Sequence, residues 1–286
     1  MTSSKVEVEP APPLPLFDPA RGELPPLDAI EVYLEPPPSL SLLHGEAVAT
    51  GEYTHWIPHL EAAWAAGQVA ALDALLRNVQ IKVGQHYDRP GQASVGKYLF
   101  GRLSITHVPH LCVPGTEPFT QMHDHFYIAP TAIPDEPRCM SMAGTSLLSP
   151  WDAGKPWPLD LFALRAGTAS LLDAMYQIAI QQELTARIGT VWIPGRRGVP
   201  SAIAGCEDVV GEFPRIMCPG LPRHRARPPR TRAELLDLAL AAEPDASEER
   251  RWELRNGPLP DPDRPGERII IRDLTDPPPP NRDDFY

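Results

Sequence analysis

Cysteine is scarce in this chain: four in 286 residues (Cys112, Cys139, Cys206 and Cys218), with no Cys-x-x-Cys pair among them. That spacing argues against a disulfide framework and a thiolate zinc site. It suits a reducing compartment, so a cytoplasmic location is expected. No apolar run is long enough to span a bilayer, and MTSSKVEVEPAPPLPLF lacks the charged start and apolar middle of a secretory signal. Positive charge is also short. A net charge of −11 argues against nucleic-acid binding over the whole surface and leaves only a local patch for phosphate contacts. No internal repeat is visible.

Proline, by contrast, is abundant: 37 residues, concentrated at the two ends and in the joints between apolar stretches. Residues 1–27 read as a Pro-rich arm with little to bury, because PAPPLPLF and ELPPL cannot form helix. The 42% of hydrophobic residues suffices for a sizeable core in the rest of the chain.

Ile30, Val32 and Leu34 alternate with Glu31, Tyr33 and Glu35, which predicts a short strand. Three prolines at 36–38 stop it, and Ser39 can begin the next turn or helix. Helical spacing of Leu60, Trp64, Leu72, Leu75, Leu76 and Val79 predicts a helix over 59–83. KYLFGRLSITHV (97–108) reads as a strand, VPHLCVPGTEPFTQ as a connection and MHDHFYI as a second strand that pairs antiparallel with the first. Residues 159–188 carry the strongest helical pattern, with Gly167-Thr168 as a point of division and Gly189 as terminator. A short amphipathic helix is expected at 231–242, and DPPPPNRDDFY at the end reads as disordered.

The chemistry-bearing feature is His123-Asp124-His125. Alternate strand residues share a face, so the two imidazoles point together while Asp124 points away. A third imidazole from a paired strand would complete a three-nitrogen face with open positions for water or a phosphate oxygen, and His107 and His110 both lie where one could be supplied. The bland alternative is one satisfied core histidine and one exposed one. A cupin site is disfavoured, because Ile128 and Ala129 stand where its glutamate would fall.

Four stretches, taken in order, resemble the MobF-class conjugative relaxases, the TrwC/TraI type of HUH endonuclease. EVYLEPPPSLS (31–41) is similar to the family's first motif and is followed by the expected long helix. TQMHDHFYI (120–128) resembles its two-histidine strand, and QQELTARIGTVW (181–192) and SAIAGCEDVVGEFPR (201–215) resemble its last two motifs. The likeness spans about 28–216 and divides the chain into the arm 1–27, a relaxase-like domain 28–216 and a Pro/Arg-rich, partly disordered extension 217–286.

The resemblance implies an α+β fold, an antiparallel palm-like sheet flanked by helices, and a divalent metal ion (Mg or Mn, with Zn as a further option) held by three histidines. It implies metal-dependent nicking and strand transfer of single-stranded DNA in plasmid or mobile-element conjugation, with conjugation-machinery proteins as partners. His123 and His125 match the paired histidines. His110, thirteen residues before His123, fits the family spacing better than His107 at sixteen, which stays as the alternative third ligand. Glu31 falls at the family's aspartate, which steadies a metal-bound histidine from behind. The family's nucleophilic tyrosine precedes its first motif, whereas no tyrosine precedes Tyr33 here, and Tyr33 itself falls on the family's threonine. Pro38 replaces a phosphate-facing lysine.

Apart from the resemblance, Arg223, Arg225, Arg227, Arg230 and Arg232 form a basic stretch suited to DNA phosphates; its bland counterpart is a solvated Pro/Arg linker. Three functions stand as expectations: a relaxase-like nuclease with full or reduced activity, a non-catalytic DNA-binding accessory protein of the same fold, and an unrelated three-histidine metalloenzyme.

Overall fold

The computed structural model describes residues 8–51, 53–86, 96–111, 122–141, 145–193, 201–204, 230–256 and 259. The chain is α+β with every described strand pairing antiparallel, and helices pack on one face of the main sheet, as expected. The strands are β1 (Ile30–Leu34), β2 (Gln80–Val83), β3 (Lys97–Arg102), β4 (Ile105–His110), β5 (His123–Ile128), β6 (Thr131–Pro134), β7 (Trp157–Pro158), β8 (Trp192–Ile193), β9 (Ala202–Ile203) and β10 (Arg230–Thr231). The helices are α1 (Pro38–Thr50), α2 (Ile57–Asn78), α3 (Leu161–Ala163), α4 (Ala169–Ile188), α5 (Arg232–Ala242) and α6 (Glu248–Asn256). One sheet runs β10-β1-β5-β4, a second β2-β3-β6-β7, and β8-β9 form a ribbon.

Two elements differ from the sequence pattern. The helix expected over 59–83 ends at Asn78, and Gln80–Val83 turn into β2. Gln-Ile-Lys-Val alternates with Ile81 and Val83 buried, a period-two pattern that β3 satisfies by pairing Ile81 with Leu99. The strand expected over 97–108 is two strands in different sheets. β3 pairs with β2 and β6, then Leu103-Ser104 carry the chain across to β4, which pairs with β5 from Ile105↔Ile128 to His110↔His123. β4 also runs further than expected, to His110. Pro109 is tolerated because β4 is at the end of its sheet, where a missing N–H breaks no ladder bond.

The 159–188 segment begins with α3, passes through a π turn at Leu164–Thr168 and continues as α4, so the Gly167-Thr168 pair marks a bulge rather than a break. Gly189, left-handed at φ 70°, ends it. Ala169, Leu172, Tyr176, Ile180 and Leu184 form its buried face. This face lies against α2, whose Gly67 permits the close approach: a Cβ there would sit 2.7 Å from Ile180 Cγ1 and 3.1 Å from Tyr176 Cδ2.

The helix pair is fixed to β5 by one side chain. Asp124 is fully buried and accepts from Trp64 Nε1 at 2.7 Å, Gln68 Nε2 at 2.8 Å and Tyr176 Oη at 2.5 Å, while His107 Nε2 lies 2.7 Å from the carboxylate oxygen that Gln68 also meets. Burial, and then the facing Asp124 carboxylate, push the Tyr176 phenol well above its ordinary pKa, so it stays a neutral donor. Around this hub Leu34, Phe126, Ile128, Leu60, Leu75, Leu172 and Ile180 belong to the main apolar core.

The other face is partly covered by the N-terminal arm, which buries more than its composition suggests. Leu14 N–H donates to Leu103 O, Ile105 N–H donates to Leu14 O, and Thr106 Oγ1 accepts from Leu16 and Phe17 while donating to Phe17 O. Phe17 packs edge-on against Tyr127 with Val108 alongside. At the other end α5, opened by a Thr231/Glu234 capping box, and α6 share a small cluster of Leu235, Ala239, Leu254 and Leu259. Residues 260–286, whose DPPPPNRDDFY end was expected to be disordered, lie outside the described residues.

Gly67→Ala is expected to destabilise the protein by a net of up to ~2 kcal/mol. Ala gains roughly 1 kcal/mol of helix propensity, but overpacking against the buried Ile180 costs about 1–3 kcal/mol. Asp124→Ala should cost about 3–5 kcal/mol, because it strands the Gln68 and Tyr176 donors and leaves Trp64 Nε1 only its bond to Tyr176 Oη. Denaturant unfolding monitored by tryptophan fluorescence measures both.

Candidate metal centre

The histidine site forms on the face of β5 opposite Asp124. The β4–β5 register sets His110 directly across from His123, and Val108 across from His125, so His110, His123 and His125 share one side of the sheet. All three are buried, and one ring nitrogen from each lies within 4.8 Å of the others. His110 Nδ1 and His123 Nε2 are 3.1 Å apart. Two nitrogens on one cation, each about 2.0–2.1 Å from it, are separated by roughly 3 Å at ordinary coordination angles, so this pair already has the spacing of ligands. The 4.8 Å limit for the set leaves a small rotation of one ring for closure.

His125 is oriented from behind. Its Nδ1–H donates to Glu31 Oε1 at 2.5 Å, which fixes the tautomer and leaves Nε2 with the lone pair. Nε2 is buried and has no hydrogen-bond partner among the described residues. An orphaned buried lone pair costs free energy unless something electropositive meets it, and a divalent cation beside two further imidazoles does so. The residues present therefore fit a metal ion.

His107 does not join this set. It faces the helix side, stacked on Phe126 at 4.4 Å between ring centres, with its Nε2 on Asp124. Glu31 is where the resemblance implies a carboxylate, and β1 brings it there: Tyr33 pairs with His125 and Glu31 with Tyr127, so the Glu31–Tyr33–Glu35 row and the histidine row lie side by side. Tyr33 packs its ring 5.4 Å from His123 and 5.2 Å from His125, and its hydroxyl donates to Glu35 Oε1 at 2.5 Å. The alternation of β1 with Glu31, Tyr33 and Glu35 on one side was the signal for these neighbours; which sheet face they shared with the histidines was not readable from it.

Of the basic stretch, Arg230 is in β10, where its backbone pairs with Glu31, and Arg232 opens α5. Arg223, Arg225 and Arg227 lie outside the described residues. No described helix is long and apolar enough to cross a membrane.

Two serines in α1 draw the separated motifs together. Ser41 Oγ accepts from Met122 N–H at the entry to β5, and Ser39 Oγ accepts from Ile203 N–H in β9, each at 3.1 Å.

No family model and no curated relative match this chain. Among solved structures it is similar to the conjugative relaxase TrwC in complex with oriT DNA, metal-bound, at 18% identity and a TM-score of 0.43, covering 79% of this chain and 62% of that one. The metal-free TrwC complex is similar at 17% identity and a TM-score of 0.43, covering 79% and 64%. The copper-bound complex stands at 18% and 0.43, covering 79% and 61%. The chain thus spans less than two thirds of the length of these relaxase structures.

Proposed function

We propose that this chain is a relaxase-like protein that nicks single-stranded DNA and transfers the strand, with a divalent cation held by His110, His123 and His125. The observation that carries the reading is the buried three-imidazole cluster in which Glu31 leaves the His125 Nε2 lone pair without a hydrogen-bond partner among the described residues. The order of the resembling motifs supports the substrate class.

A bound cation would supply charge stabilisation on the phosphoryl oxygens of a scissile phosphodiester. The chain's own residues do the rest. His110, His123 and His125 present neutral nitrogen donors from two paired strands whose backbones are fixed by the sheet. Glu31 holds the His125 proton on Nδ1 and so keeps Nε2 available. Burial of the set on a sheet face limits competing water. Three nitrogen ligands suit Mn or Zn more closely than Mg, although an open site completed by phosphate and water admits any of them. The arginines at 223, 225, 227, 230 and 232 are assigned to backbone phosphates of the bound strand, an interaction that weakens steeply with salt.

The test combines metal content with cleavage. Wild-type protein titrated with Mn²⁺ should bind about one ion per chain and cut single-stranded oligonucleotides, and His123→Ala/His125→Ala should lose both properties. A wild-type chain that takes up no divalent metal refutes the site. DNA binding that persists in chelator with no cleavage favours the accessory-protein alternative. Glu31→Gln, which keeps the shape and weakens the hold on His125, should lower metal affinity about 10–100-fold, measured by isothermal titration calorimetry.

A further inference from the structure

We propose that Tyr33 is the nucleophile of this site and Glu35 its general base. The inference rests on the phosphodiester-cleaving function proposed above and adds the residue that attacks. It comes from placement and runs against the family pattern, in which this position is a threonine and the attacking tyrosine lies further upstream.

Three observations converge on Tyr33. The β1–β5 register sets it directly opposite His125, and its ring contacts both His123 and His125, so the phenol belongs to the same face and depth as the candidate ligands. Its hydroxyl donates to the Glu35 carboxylate at 2.5 Å, the pairing of a hydroxyl nucleophile with an adjacent base. Glu35 is itself held, because its backbone oxygen accepts from Gln177 Nε2 at 2.6 Å, which ties the end of β1 to α4. The other described tyrosines have different surroundings. Tyr176 is on the helix side with Asp124, Tyr127 stacks on His125 but is enclosed by Phe17 and Val108, and Tyr53 and Tyr98 are half exposed at 52% and 51%.

Glu31 and Glu35 thereby take separate tasks on one strand face. Glu31 orients an imidazole, and Glu35 receives a proton. As Tyr33 Oη forms its bond to phosphorus, the phenol proton passes to a Glu35 oxygen and the bond from phosphorus to the 3′ oxygen breaks. The departing oxygen, in line on the far side of phosphorus, takes its proton from water, and Glu35 releases its own to solvent. One phosphodiester is consumed, and one phosphotyrosyl diester and one 3′-hydroxyl are formed, with no change of oxidation state. The reverse sequence reseals the strand.

The experiment incubates Mn²⁺-loaded wild type, Tyr33→Phe, Glu35→Gln and a Tyr53→Phe control with a pool of random-sequence single-stranded DNA. Covalent protein–DNA adducts are read on denaturing gels, and the nucleotide-bearing peptide is identified by mass spectrometry. Wild type and Tyr53→Phe should form an adduct that maps to Tyr33. Tyr33→Phe should form none while binding Mn²⁺ as wild type does, since phenylalanine keeps the ring packing. Glu35→Gln should slow adduct formation at least about a hundredfold. An adduct that persists in Tyr33→Phe or maps elsewhere overturns the assignment. So does cleavage by wild type without any adduct, which would make water the nucleophile and leave the nuclease function standing. Loss of Mn²⁺ binding in Tyr33→Phe would reduce Tyr33 to a packing role and also overturn it. A wild type that binds Mn²⁺ but neither cleaves nor forms an adduct removes the assignment together with the proposed function.

Discussion

The buried carboxylate of Asp124 is the constraint on which the site depends. β5 is buried on both faces, yet one face is polar and the other is helix-packed core, and strand alternation alone does not say which is which. Asp124 decides it. Three donors from α2 and α4 converge on its oxygens, and His107 adds a fourth contact from β4. A one-residue slip of β5 would turn the carboxylate out of this donor set and drive two imidazoles into the apolar core. The residue between the two histidines therefore locks the register that aligns them.

The same alternation on β1 extends the polar face sideways. Val32 and Leu34 join the main core, while Glu31, Tyr33 and Glu35 line up beside the histidines. The prolines after Glu35 end the strand, and α1 starts with Pro38 at a position where a missing N–H costs nothing. Starting the helix there brings Ser39 and Ser41 to the backbones of β9 and the β5 entry. Distant stretches of sequence thus meet through a few side-chain-to-backbone bonds, each worth little on its own and jointly fixing where the strand ends lie.

Local pattern carried much of this. The paired histidines, the Glu31 row, the α4 segment with its glycine stop and the β4–β5 pairing were all legible, because each rests on periodicity or on a residue with a fixed conformational habit. What escaped was set by distant partners. Gln80–Val83 continues a helical apolar spacing, and only pairing with β3 makes it a strand. KYLFGRLSITHV is one unbroken alternation, and its division at Leu103-Ser104 is imposed by two different sheets. The choice between His107 and His110 needed the β4 register, which places them on opposite faces. Asp124 was legible as pointing away from the histidines, but its four partners come from three elements and left no local trace.

The two faces of the main sheet also divide the apolar core from the candidate site. Large apolar side chains on the helix side, including Phe126, Ile128, Leu172 and Ile180, bury surface at about 25 cal/mol per Å². The opposite face holds three imidazoles, two carboxylates and the phenols of Tyr33 and Tyr127, groups that gain little from burial without partners. The arm offsets part of that deficit beside the site, where Phe17 closes over Val108 and Tyr127 and Thr106 fastens the backbone of Leu16 and Phe17. A proline-rich segment suits that task, since its restricted backbone loses less entropy on docking than an ordinary chain would. The arm thus closes the apolar end of a face whose other end holds the polar candidate site, and the fold tolerates that polar end because the helix layer supplies the stabilising burial elsewhere.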